Sequence, residues 1–274
     1  MGPDPKVVES ENEELWRGLL DGTNPVYART RALMKRIPGS PRCKMCAAPF
    51  GSPGRWLIRF QGRRRWEKNP DYCNLCFDVL SRYHGGAELE ASFLFADVRG
   101  STTMAETMRP AEFRRLLDGF YDLAARLIVE HDGIVDKFVG DEAIGIFIPA
   151  TARTGHARAA VDAARALAAA LGAGTRSPSP SGGRVALPIG IGVGTGVAFV
   201  GSVGEPPVTS LTALGDIVNV TARLASTAAA GEILVNERAA QMSGLTAGLE
   251  SRSLDLKGKS GPTVVYVIPA AEPG

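Results

Sequence analysis

The sequence predicts an α+β fold with a ferredoxin-like β-α-β-β-α-β core, preceded by a small four-cysteine module. Three observations predict it. From about residue 88 to residue 268, apolar runs of strand length alternate with amphipathic stretches of helix length. Ahead of that region all four cysteines fall into two knuckles, Cys43-x₂-Cys46 and Cys73-x₂-Cys76. Hydrophobic residues make up 45% of the 274, enough to fill the core of one large domain beside a small module.

Residues 1–39 read as a helical lead-in. Leu15, Trp16, Leu19 and Leu20 recur at helical spacing within an amphipathic stretch over 7–36, and Pro38-Gly39 ends it. Residues 40–87 form a four-cysteine, zinc-ribbon-like module, whose middle, Arg55 to Trp66, is basic with aromatics interleaved. Residues 88–268 form the main domain. A strand over 91–97 is followed by a helix over 110–131, with Phe113, Leu116, Leu117, Phe120, Leu123, Leu127 and Ile128 on one face. Strands 133–139 and 142–149 meet at the tight turn Gly140-Asp141, and an alanine-rich helix covers 154–172. A serine- and proline-rich loop, 172–183, leads to a hairpin over 185–203. Gly215-Asp216 opens a helix to about residue 229, with Asp216 as an N-terminal anion or cap. Strands near 232–235, 250–256 and 263–268 close the sheet, and 269–274 is a tail.

Several function classes drop out. A net charge of +2 argues neither for nor against a nucleic-acid partner. The uncharged stretch Val185 to Gly204 alternates Ile189, Ile191 and Val193 with Gly190, Gly192 and Gly194, a period of two that fits a buried strand pair rather than a membrane span. The N-terminus is polar and shows no signal peptide, so a soluble, cytoplasmic protein is expected. Gly258-Lys259-Ser260 lacks the upstream glycine of a phosphate-binding loop, where Ser253 stands, and Gly192-Val193-Gly194 fails the dinucleotide pattern. His84, His131 and His156 suggest no nucleophilic triad and are expected at the surface or at helix ends.

The chemistry-bearing residues lie elsewhere. Asp97 and Asp141 each stand at the edge of an apolar strand, each with a glycine nearby, Gly100 and Gly140. Two hard oxygen ligands at neighbouring strand edges suit Mg²⁺ or Mn²⁺, and paired metals commonly move phosphate. Asn219 and Arg223 are i, i+4 on one helix face, so an amide and a guanidinium can grip ribose and phosphate together. Lys137 lies on the strand leading into the Asp141 turn, and Lys257 and Lys259 form a cationic pair suited to a triphosphate tail.

Asp97-Val98-Arg99-Gly100-Ser101-Thr102, Lys137-Phe138-Val139-Gly140-Asp141 and Gly215-Asp216-Ile217-Val218-Asn219-Val220-Thr221-Ala222-Arg223-Leu224 together resemble the catalytic domain of class III nucleotidyl cyclases, over about residues 88–268. The resemblance implies a head-to-tail homodimer with active sites at the interface. Asp97 and Asp141 of one subunit would hold two Mg²⁺ or Mn²⁺ ions with the carbonyl of Val98. Backbone N–H groups around Val98 to Thr102, including Gly100 and Ser101, would cradle phosphates. Lys137 and Thr212 of the other subunit would read the base, Asn219 would orient the ribose, and Arg223 would stabilise the pentavalent phosphorus. Lys257 or Lys259 would hold the β- and γ-phosphates.

In-line attack of the ribose 3′-hydroxyl on the α-phosphorus fits this set. A fixed arginine beside the equatorial oxygens is worth about 3–4 kcal/mol by analogy with oxyanion-hole donors. A lysine donates to N1 of adenine, whereas guanine presents a donor there, and a threonine hydroxyl accepts from the adenine amino group. The pair Lys137 and Thr212 therefore looks like ATP specificity, giving 3′,5′-cyclic AMP and pyrophosphate. The rivals are a cyclase for GTP or a pyrimidine nucleotide, and an inert cyclase fold serving as a zinc-knuckle nucleic-acid-binding regulator.

The family resemblance says nothing about Cys43, Cys46, Cys73 and Cys76. In a cytoplasmic chain their spacing favours a structural Zn²⁺, ahead of reduced thiols without metal or an iron–sulfur cluster. Arg63-Arg64-Arg65 with Trp56, Phe60 and Trp66 has the composition of a nucleic-acid or anionic-lipid contact, but a solvated ribbon tip or packing is the expectation, with nucleic acid not expected as a partner.

Overall fold

The computed structural model describes residues 5–67, 69–172, 175–176, 184–185, 187–205, 208–256, 259 and 261–269. The lead-in is two helices, α1 (Pro5–Leu20) and α2 (Pro25–Arg36), rather than one. Between them Gly22 takes a left-handed φ of 85°, and the Asn24 side chain accepts from the N–H groups of Val26 and Tyr27, with Pro25 at the first helical position. A cap and a proline start a new helix whatever the periodicity across them. The cysteine region adds α3 (Gly54–Phe60) and α4 (Asn74–Arg82).

The main domain then runs β1 (Gly85–Val98), α5 (Ser101–Thr107), α6 (Pro110–Glu130), β2 (Ile134–Val139), β3 (Glu142–Phe147), the short α7 (Pro149–Ala152) and α8 (His156–Gly172). The two-residue strands β4 (Thr175–Arg176) and β5 (Arg184–Val185) pair with each other. Next come β6 (Ile189–Val203), β7 (Ser210–Leu214), α9 (Asp216–Thr227), β8 (Glu232–Asn236), α10 (Glu237–Ser243), β9 (Glu250–Leu254) and β10 (Thr263–Pro269). The expected hairpin over 185–203 is instead one 15-residue strand, β6, whose antiparallel partner β7 lies beyond residue 203. No helix among the described residues is long and apolar enough to cross a membrane.

The chain divides into two compact units. The larger holds Glu90–Phe147, Thr154–Gly196 and the chain from Asp216 onward. Its strands follow the order β2-β3-β1-β6-β8-β10-β9, so β1, β2, β3 and β6 with α6 and α8 make the β-α-β-β-α-β core. Alternate strand residues feed opposite faces. Leu94, Ala96, Val98, Ile191, Val193, Ile233 and Val235 pack under α6, α8 and α10, where Leu116, Phe120, Leu127, Val161 and Leu167 supply the helical side. Leu234, Val265 and Val267 face the other way, onto Val220 and Leu224 of α9.

The glycines of β6 set how close α9 sits. A Cβ built on Gly190 would lie 2.7 Å from the Ala228 carbonyl oxygen, and one on Gly192 would lie 2.9 Å from the Leu224 Cβ. Only bare backbone lets the helix rest on the strand at this distance. That fixes α9 with Val220, Thr221, Leu224 and Ala225 buried and Asn219 exposed.

The smaller unit gathers the chain up to Leu89 with Ile148–Arg153 and Val197–Gly215. Trp16 is fully buried in it and its indole N–H donates to the Tyr83 carbonyl oxygen at 2.8 Å. The cysteine module belongs to this unit, as do the second half of β6 and all of β7.

Candidate active site

Asp97 is the penultimate residue of β1, and in the ladder its Cα partner on β3 is Glu142. Asp141 sits in the β2–β3 turn, where Gly140 takes a left-handed φ of 61°. The Val98 N–H donates to the Asp141 carbonyl oxygen at 3.2 Å, so the turn is fastened to the end of β1. Tyr121 of α6 braces the same turn: its ring stacks on Phe138 with centroids 4.4 Å apart, and its hydroxyl donates to the Gly140 carbonyl.

Three carboxylates thus crowd one strand edge. Burial pushes the Asp97 carboxyl up, the Arg99 guanidinium pulls against it, and the charge of Asp141 raises it further. Glu142 is pushed up to about 7, by burial first and then by the charges of Asp97 and Asp141. Mutual repulsion among half-buried oxygens is relieved by a divalent cation, so this donor set fits Mg²⁺ or Mn²⁺.

Arg99 is the guanidinium set against these acids. It pairs with the Asp97 carboxylate, while its Nη1 donates to the Ser226 carbonyl oxygen at 2.7 Å in the last turn of α9. The N–H groups of Val98 and Arg99 are already engaged, by Asp141 and by Pro188, so of the expected phosphate cradle Gly100, Ser101 and Thr102 remain at the opening of α5. Gly100 has φ 73°, and helix geometry leaves first-turn N–H groups without intrahelical acceptors.

Asn219 and Arg223 lie together on α9, the former exposed and the latter half-buried. Lys259 pairs with Asp216, the first residue of that helix, and Lys257 lies outside the described residues. Lys137 is half-exposed on β2, with its ammonium 3.3 Å from the Asp136 carboxylate. Thr212 belongs to the smaller unit, where it is buried on β7 opposite Gly201.

The cysteines converge. The Sγ atoms of Cys43, Cys46, Cys73 and Cys76 all lie within 4.8 Å of one another, and all four residues are buried. Hydrogen bonds from neighbouring thiols, Cys43 first, hold Cys73 and Cys46 below the usual thiol range. Burial pushes Cys43 up. Arg63 donates through Nη1 to the sulfurs of Cys46 at 3.5 Å and Cys73 at 3.6 Å, so the arginine run is not all solvated tip.

Two residues of this edge have no role expected from the sequence: Arg99, which lies inside the first motif, and Glu142, which follows the second. Strand register could have found Glu142, because Asp97 and Glu142 flank one β1–β3 rung. Nothing local points Arg99 at Ser226, 127 residues away. His156 stands at a helix end as expected, the first residue of α8, and is buried there, with Nδ1 2.8 Å from the Ser92 hydroxyl.

Residues 87–269 match the family model described as the adenylate and guanylate cyclase catalytic domain. Over 135 residues the chain is 34% identical to adenylate cyclase 1 of Rhizobium meliloti, which covers 49% of this chain and 20% of that protein. The chain therefore matches only about a fifth of that relative's length. Among solved structures, the guanylyl cyclase Cya2 superposes with a TM-score of 0.61 at 28% identity, covering 69% of this chain and 96% of that one. The adenylyl cyclase CyaB from P. aeruginosa gives 0.59 at 25% identity, covering 68% and 96%.

Proposed function

Because the chain belongs to the adenylate and guanylate cyclase catalytic domain family, we propose that it converts ATP to 3′,5′-cyclic AMP and pyrophosphate at sites shared by two copies arranged head to tail. The observation that carries the reading is the fastening of the Asp141 turn to the end of β1 beside Asp97, which sets Asp97, Asp141 and Glu142 at one edge, where burial and neighbouring charge raise the proton affinity of Asp97 and Glu142. Two divalent cations bound by the Asp97 and Asp141 carboxylates and the Val98 carbonyl would lower the pKa of the ribose 3′-hydroxyl and offset charge growing on the phosphate.

The rest falls to side chains. Gly100, Ser101 and Thr102 turn backbone N–H groups toward phosphate oxygens. Lys259 supplies positive charge for the β- and γ-phosphates, exchanging its Asp216 partner for substrate, and Lys257 has the same role by sequence. Asn219 of the second copy orients the ribose, and Arg223 one turn later meets the equatorial oxygens as their charge develops. Lys137 donates to N1 of adenine and the Thr212 hydroxyl accepts from the amino group. The two solved relatives carry opposite base names, guanylyl and adenylyl, so the assignment of ATP rests on these two side chains.

Product analysis with each of the four nucleoside triphosphates and Mn²⁺ tests the reading. Cyclic AMP as the dominant product is expected; dominant cyclic GMP overturns the base assignment, and no turnover of any nucleotide overturns the enzyme. Mixing inactive Asp97→Ala and Arg223→Ala proteins should restore part of the activity, because one mixed site then carries neither lesion.

A further inference from the structure

We propose that the four cysteines bind one zinc ion, and that this zinc holds the hairpin strand carrying Thr212 in place. Tetrahedral zinc with bonds of about 2.3 Å separates its sulfurs by about 3.8 Å. Cys46 and Cys73 Sγ stand 3.7 Å apart, and all four sulfurs are mutually within 4.8 Å. Four buried thiolates leave no coordination position for a substrate, which makes the site structural. The surroundings are those of a thiolate cluster. The Cys73 N–H points at Cys43 Sγ at 3.3 Å, and the Arg63 guanidinium lies against Cys46 and Cys73, offsetting negative charge that zinc only partly neutralises.

The residues next to the ligands carry the consequence. Lys44 follows Cys43, and its ammonium donates to the Ser210 hydroxyl at 3.1 Å. Tyr72 precedes Cys73; its hydroxyl is 3.1 Å from that same Ser210 oxygen and accepts from the Leu211 N–H at 2.8 Å. Asn69, a little earlier, donates to the Thr209 carbonyl oxygen at 2.8 Å. Both knuckles therefore close on one hydroxyl at the start of β7, and Thr212 is the next residue but one. The two knuckles are also joined by the Lys44 N–H to Asp71 carbonyl bond at 2.8 Å. Without metal, four buried thiols make only weak hydrogen bonds to one another, and the grip on β7 loosens. Zinc binding displaces the thiol protons to solvent, so affinity falls in acid.

The effect on catalysis rests on the reading of Thr212 as a base contact; the effect on the strand does not. The full chain, purified under reducing conditions with zinc supplied, should carry about one zinc per chain by elemental analysis. Stripping it with a strong chelator should speed amide exchange over Ser210 to Ala213 by about tenfold or more, reversed by added zinc. KM for ATP should rise more than kcat falls. Tyr72→Phe keeps every ligand, so zinc content should stay unchanged while exchange at Leu211 rises. Protein that neither carries nor takes up zinc overturns the proposal, as does zinc removal that leaves exchange over 210–213 unchanged. A strand that responds to zinc in a protein that turns over no nucleotide supports the metal site and counts against the cyclase reading alone.

Discussion

Arg99 and Ser226 are joined by a 2.7 Å hydrogen bond from the guanidinium Nη1 to the main-chain carbonyl, while the same side chain pairs with Asp97. One cation thus ties the acid-bearing end of β1 to the closing turn of the helix that carries Asn219 and Arg223. A lysine cannot span both partners, because its ammonium is a single point of charge. Arg99→Lys should lower kcat/KM by about tenfold. Arg99→Ala should lower it further and cost about 1–2 kcal/mol of stability, leaving the Ser226 carbonyl without this donor. Steady-state kinetics and urea unfolding check both, and an Arg99→Ala protein with unchanged kinetics would show that the tie does not position the site.

The crowding of Asp97, Asp141 and Glu142 should be visible in unfolding without any turnover. Mn²⁺ should raise the Tm of the wild-type chain, since a ligand that binds only the folded state stabilises it. Asp141→Asn removes one of the charges that raise Asp97 and Glu142, so the metal-free protein should hold or gain stability, by up to about 1 kcal/mol. It should also lose the Mn²⁺ response and at least about a hundredfold in turnover. A Mn²⁺-dependent shift that survives in Asp141→Asn places the metal elsewhere.

Gly192→Ala is the smallest change that tests how α9 is seated. The added Cβ would lie 2.9 Å from that of Leu224, with helix backbone closer still. Overpacking of this kind costs about 1–3 kcal/mol, and the helix that moves to relieve it takes Asn219 and Arg223 along. Denaturant melts and kcat should fall together; a change of only a few tenths of a kcal/mol would mean that α9 gives way freely.

His156 should make stability depend on pH. Burial lowers its pKa below the ordinary 6.5, with Arg238 lowering it and Glu90 opposing. The imidazole also faces the Ser92 hydroxyl, which contacts Thr195 Oγ1 at 2.6 Å. The unfolded chain takes up the proton first, so the contribution is present above about 6.5 and is lost as pH falls toward the depressed value. The slope there is at most about 1.4 kcal/mol per pH unit. Unfolding titrations from pH 7.5 down to 5 should show this loss, and His156→Gln should flatten that part of the curve.

Local patterns carried much of this fold into the sequence. Leu116, Phe120, Leu127 and Ile128 mark the buried face of α6 because a helix repeats its contacts every three or four residues. Asp97 and Asp141 could be found because each interrupts an apolar strand edge with a glycine nearby. The alternation of glycine and β-branched residues on β6 correctly signalled burial, but not its cause, since α9 arrives from about thirty residues later. The same limit hid β7 as the partner of β6, the role of Arg99, and the bonds from Lys44 and Tyr72 to β7. Such pairings depend on where distant segments meet, which no window of sequence contains. The break between α1 and α2 was legible in Asn24-Pro25, a cap followed by the residue that favours a first helical turn, although apolar spacing pointed to a single helix.

The hydrogen bond from the Leu211 amide to the Tyr72 phenol has a practical corollary for anyone trimming this protein. The family match begins at residue 87, and a shortened version starting there would look intact by homology. It would nevertheless strip β7 of Tyr72, Lys44 and Asn69 at once. Excision at the homology boundary should therefore yield a poorly behaved, sticky fragment; the usable cut lies upstream of Trp16, not between the cysteines and the sheet.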